Sequence, residues 1–79
     1  MTFNDFTKTF FELLELEENE VSEDTMLRDE LNLDSLQIVN LTTSLADYYQ
    51  ISFSYFIENS DKIGTVGGLY KIVLDGTVE

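Results

Sequence analysis

The chain has 79 residues, 43% of them hydrophobic, with sixteen acids against four bases and a net charge of -12. It holds no histidine and no cysteine, which removes the commonest general base, disulfides, thiolate metal sites and any Ser-His-Asp hydrolase. So negative a surface repels nucleic acid and anionic lipid headgroups, and the partners expected for it are proteins with basic patches.

The length suits one small domain over residues 1–79, and the apolar content is too high for a disordered acidic tail. Thr2 followed by Asp5 has the form of a capping box. Phe3, Phe6, Phe10, Leu13 and Leu14 then recur at helical spacing, which predicts a first helix over residues 3–16. Residues 17–32 are acidic and carry apolar anchors at Val21, Met26, Leu27 and Leu31. They are expected to form a long loop pinned to the core by those anchors, with a short helical turn near residues 27–31.

Asp34 is a good N-cap for a second helix over residues 35–49. Projected at about 100° per residue, Ile38, Val39, Leu41, Leu45 and Tyr49 share a broad arc with Thr42 and Ala46. Gln37, Asn40, Thr43, Ser44 and Asp47 lie opposite, and Leu36 falls on that polar side. Residues 51–63 are short of a clear period and rich in aromatics; a helical turn around residues 55–59 is expected, and a strand over residues 51–57 stays open. Thr65 reads as the N-cap of a last helix, with Val66, Leu69, Ile72 and Val73 facing inward and Asp75-Gly76 ending it. The fold class is all-α: a small four-helix bundle of three main helices and one short one, with a long first loop.

Leu31-Asn32-Leu33-Asp34-Ser35-Leu36 carries the chemistry. It sets a serine on the first turn of a helix behind an acidic cap. A phosphate joined to such a hydroxyl meets the positive end of the helix dipole and its free N–H groups. With no base to activate it, Ser35 is a poor catalytic nucleophile but a good acceptor of a group that another enzyme installs. Asn59, Asp61 and Gly64 faintly follow a calcium loop, but Ile63 and Tyr70 occupy ligand positions, so no metal site is expected.

On these residues the chain resembles the acyl carrier protein family, whose second helix opens on a Leu-Gly-x-Asp-Ser-Leu stretch. The resemblance extends upstream through Val21 and Asp29-Glu30-Leu31 and downstream to Ile63-Gly64-Thr65-Val66-Gly67. It implies that Ser35 receives 4′-phosphopantetheine from coenzyme A and that the chain is a non-catalytic carrier of acyl thioesters. It also implies docking of partners on Asp34, Leu36, Gln37, Asn40 and Asp47, and an acyl pocket bordered by Val39, Leu45, Phe53 and Ile63. The implied partners are a phosphopantetheinyl transferase, an acyltransferase or acyl-ligase, and ketoacyl synthase-type enzymes of fatty acid, polyketide or related biosynthesis.

Three positions depart from the family. Asn32 stands where glycine is usual, and Asn tolerates a left-handed backbone. Gln37, Asn40 and Tyr48 stand where acids are common in fatty acid synthesis carriers. Residues 53–63 are longer and more aromatic than usual. A cytoplasmic location is expected, since no apolar run spans a membrane and the N-terminus lacks a signal-peptide layout; the strong negative charge favours a free-standing carrier, and a monomer is expected. The competing classes are an acidic helical adaptor without the arm and an aminoacyl or peptidyl carrier.

Overall fold

The computed structural model describes residues 1–77. Helix α1 spans Phe3–Leu14 and opens on the expected capping box: Asp5 N–H donates to the Thr2 hydroxyl and Thr2 N–H to the Asp5 carboxylate. Hydrogen bonds from Thr2, its backbone amide first, hold the Asp5 carboxyl below its ordinary value. The helix stops two residues short of the expected end because Glu15 turns left-handed, with φ 57°. Leu16 N–H then closes back on the Phe11 carbonyl at 3.1 Å, satisfying one of the free C-terminal acceptors. Phe6 and Phe10 are fully buried, and Phe11 joins them with its ring edge-on to Phe10 at 5.1 Å.

Helix α2 runs Ser35–Tyr49, α3 Phe53–Glu58 and α4 Val66–Thr77, with a 3₁₀ turn at Ser60–Lys62 between the last two. The open alternative over residues 51–57 is resolved as helix, and no strand occurs among the described residues, only an isolated bridge between Met26 and Thr65. Helix α4 continues past the expected stop at Asp75-Gly76. Gly76 keeps a negative-side φ, and its bare Cα lets Ile51 approach; an added Cβ would sit 2.9 Å from Ile51 Cγ2. Helices α2 and α4 each pack on the other three, so they form the centre of the bundle. Leu41, Leu45, Phe56, Val66, Leu69, Ile72 and Val73 fill it, together with Phe6, Phe10 and Leu27.

Two apolar expectations are corrected. Met26 does not anchor the loop by its side chain, which is 45% exposed; its neighbour Leu27 is fully buried instead. Val39 is 52% exposed. The buried stripe of α2 is Leu41, Thr42, Leu45 and Ala46, flanked by half-buried Ile38 and Tyr49. Val39 lies at the rim of that stripe, on the side shared with Leu36 and Thr43, and α1 and α4 do not cover it.

Backbone pairing fastens the acidic loop. Leu27 N–H donates to the Gly64 carbonyl at 3.1 Å, Val66 N–H to Thr25 at 3.0 Å and Gly67 N–H to Glu23 at 2.9 Å. Gly68 N–H takes the Thr65 hydroxyl at 3.0 Å, which confirms Thr65 as the cap. The N–H groups of Val66, Gly67 and Gly68, orphan donors of the first turn of α4, are thereby satisfied. The close approach needs glycine at two positions. A Cβ on Gly67 would lie 2.6 Å from the Glu23 carbonyl oxygen, and one on Gly68 would collide with the Lys62 carbonyl.

Gly68→Ala is therefore expected to destabilise the fold by about 1–3 kcal/mol, the range for forcing atoms into a filled contact. Gly64→Ala, whose Cβ meets nothing within 4 Å, is expected to be neutral or slightly stabilising. Urea unfolding of the two variants beside the parent chain measures the contrast.

Candidate functional site

The segment leading to Ser35 is built from the inside out. Leu27 is buried, and the chain turns after it: Glu30 and Leu31 N–H both donate to the Met26 carbonyl, at 3.1 and 3.2 Å. Asn32 takes the left-handed conformation expected of it, φ 56°. That reversal lets Leu33 N–H return to the Leu27 carbonyl at 3.0 Å and buries the Leu33 side chain. The turn is thus held at both ends by leucines in the core, and α2 starts two residues later.

Asp34 caps α2 as read from the sequence. Its Oδ1 accepts from Gln37 N–H at 2.8 Å, and Gln37 Oε1 accepts from Asp34 N–H at 3.0 Å. Gln37, expected as a docking residue, thus also completes a reciprocal cap. Ile38 N–H bonds to the Asp34 carbonyl at 3.0 Å. Helix geometry leaves the Ser35 and Leu36 amides without acceptors inside the helix, and the positive end of the α2 dipole lies at Ser35.

Ser35 is exposed, and its Oγ accepts a hydrogen bond from Arg28 Nη2 at 2.6 Å. A guanidinium has no lone pair to offer, so the direction of that bond is fixed and the serine proton remains available. Sequence reasoning missed Arg28. It lies seven residues before Ser35, and only the 26–32 turn folds it back. Its one sequence signal is that it is the sole arginine of the chain. Two carboxylates close to it in sequence are engaged elsewhere: Glu30 Oε2 accepts from Met26 N–H at 2.8 Å, and Asp34 serves the cap.

The expected docking residues share one surface. Leu36 is 69% exposed, and Gln37, Asn40, Thr43 and Asp47 are exposed along the same helix, with Val39 beside them. The four residues expected around an acyl pocket are not brought together. Leu45 is wholly inside the core, and Val39 faces solvent. Phe53 borders a surface cleft with Thr43, Ala46, Asp47, Gln50 and Ile51. Ile63 borders a different cleft of about 320 Å³, lined also by Met26, Leu27, Arg28, Ile38 and Ser60. Ile38 stands one turn beyond Ser35, so this second cleft is the one that adjoins the serine.

The phosphopantetheine attachment site family matches residues 5–60, well over half of the chain. The chain belongs to that family, and its domain is the site of covalent 4′-phosphopantetheine attachment. Carrier domains of this class work with synthetic and modifying enzymes. No curated protein and no solved structure matched the chain in the same comparisons. An exposed hydroxyl at a helix N-terminus with a guanidinium beside it fits a phosphodiester in both charge and access.

Because Asp34 sets the start of α2, Asp34→Ala is expected to cost about 1 kcal/mol, the usual loss for an N-cap. A domain of this size then melts roughly 4–8 °C lower. Asp34→Asn keeps an acceptor and should retain most of that stability. Thermal unfolding followed by far-ultraviolet circular dichroism distinguishes the two.

Proposed function

We propose that residues 1–79 form a single non-catalytic carrier domain whose arm is attached at Ser35, and that it carries acyl groups for fatty acid, polyketide or related specialised biosynthesis. The observation that carries the reading is Ser35 itself: exposed, rigidly capped and contacted by a cation, in a chain of the phosphopantetheine attachment family. The arm supplies a terminal thiol that holds the acyl group as a thioester. Tethering raises the effective concentration of that group at each partner active site. The chain's own part is to present the Ser35 oxygen and to offer the face around it. The chain has no histidine to accept the serine proton.

No helix among the described residues is long and apolar enough to cross a membrane, in keeping with a cytoplasmic carrier. Family membership favours the carrier over an armless acidic adaptor. Ser35→Ala is expected to fold as the parent does and to gain no mass on incubation with coenzyme A and a broad-specificity transferase. The parent gains one arm. Labelling of the alanine variant, or none of the parent, would overturn the assignment.

The docking face sets the choice of partner. Leu36, Gln37, Asn40, Thr43 and Asp47 carry a single acid between them, and Leu36 and Val39 add apolar surface. Charge complementarity governs on-rate and specificity. Acyltransferases or acyl-ligases and ketoacyl synthase-type enzymes of a specialised pathway, reading apolar contacts and the acids beside Ser35, are the fitting partners. In competition with a fatty acid synthesis carrier for a general-pathway ketoacyl synthase, the holo chain is expected to be slower at low salt. Gln37→Asp with Asn40→Glu should recover part of the deficit, and Asp at that capping position serves as Asp5 does in α1. Equal rates for the holo chain without these substitutions would rule the specialised partner out.

A further inference from the structure

We infer that Arg28 is the binding residue for the phosphodiester that joins the arm to Ser35. The inference rests on Ser35 being the attachment residue. In the arm-free chain Arg28 Nη2 reaches Ser35 Oγ at 2.6 Å. Esterification converts that hydroxyl oxygen to a bridging oxygen of low basicity and places two non-bridging oxygens, which share one negative charge, two bonds away from it. A guanidinium already in contact with Oγ lies within reach of them, and N–H bonds to a phosphate oxygen are shorter and stronger than the bond to a neutral hydroxyl.

Charge argues the same way. The chain carries -12 already, and the new negative charge arrives beside Asp34, Asp29 and Glu30. Of the other three bases, Lys8 is on α1, and Lys62 and Lys71 border a cleft with Glu23, Asp24 and Asp61; Arg28 is the base with a hydrogen bond to Ser35. Glu30 and Asp34 are held by backbone amides, which leaves the Arg28 donors directed at Ser35. Arg28 also lines the cleft of Met26, Ile38 and Ile63, so the clamp fixes the root of the arm on the loop side of α2, next to the Leu36 docking face but off it.

The test uses the full chain labelled with nitrogen-15, as apo and holo protein, with arm attachment checked by intact mass. As the chain has one arginine, its Nε–Hε signal is a single assigned peak. That peak is expected to shift on attachment. The phosphorus-31 signal of the holo protein should move toward that of a free pantetheine phosphodiester in Arg28→Gln. Arg28→Lys, which keeps the charge but not the fork, should fall between. Raising salt from ~0.01 M to ~1 M, which shortens the Debye length from about 30 to 3 Å, should draw the parent signal toward that of Arg28→Gln. An arginine peak that stays put in a chain shown by mass to carry the arm, with identical phosphorus signals in parent and Arg28→Gln, overturns this inference and leaves the attachment residue standing. A parent chain that gains no mass removes both. The arginine peak is read on the parent, so a poorly folded variant does not decide the outcome.

Discussion

The backbone pairing of residues 23–27 with the start of α4 is the constraint on which the rest depends. The first loop carries most of the acids between α1 and α2, and like charges on a flexible segment push it outward. Three N–H···O bonds across Glu23, Thr25, Leu27, Gly64, Val66 and Gly67 hold it down without involving a single charged group. They also supply acceptors for α4 amides that would otherwise be orphaned. The pairing needs a bare Cα at Gly67, where Glu23 approaches more closely than any side chain allows, and Gly68 likewise makes room for the Lys62 carbonyl.

From that clasp the site follows by short steps. With Leu27 fixed in the core, the 26–32 turn has a firm base, and Asn32 can reverse the chain so that Leu33 returns to the Leu27 carbonyl. Asp34 and Gln37 then start α2 at one register, leaving Ser35 on the outside of its first turn. The same turn carries Arg28 round to the serine. A hydroxyl held by two buried leucines, a reciprocal cap and a guanidinium has little freedom of its own.

The acids divide by what their oxygens do. Asp5, Glu30 and Asp34 accept from backbone amides and shape helix starts or the turn. The other acids among the described residues are exposed, as expected of charge runs. Helix α2, on which we propose that partners dock, is nearly neutral by contrast, with Leu36 and Val39 exposed on it. A partner reading this chain therefore finds an apolar strip bordered by negative charge at the serine end, a pattern suited to contact first steered by charge and then held by burial.

Much of this was legible in the sequence because the signals are local. A capping box at Thr2-Asp5, an Asp cap before Ser35, a Thr cap before Val66 and helical spacing of Phe6, Phe10, Leu41, Leu45, Leu69 and Ile72 each involve residues within a turn or two. Hydrogen-bond geometry at that range is set by the residues themselves, and so the helices and the position of Ser35 at the head of α2 could be read directly. What tertiary structure decided were the contacts between distant segments. The side of α2 that Val39 faces depends on which helices cover it, and a helical projection cannot state how wide that cover is. Met26 turns outward while its neighbours Thr25 and Leu27 bond to Val66 and Gly64, partners far along the chain. Gly76 continues α4 because Ile51 packs over it. Arg28 meets Ser35 only because the clasp on α4 anchors the turn between them. Sequence by itself determined α1, α2, α4 and the chemical type of the site; packing between remote segments determined the helix at Phe53–Glu58, the cation and the borders of the site, since those distances are fixed by the whole core and by no short stretch of residues.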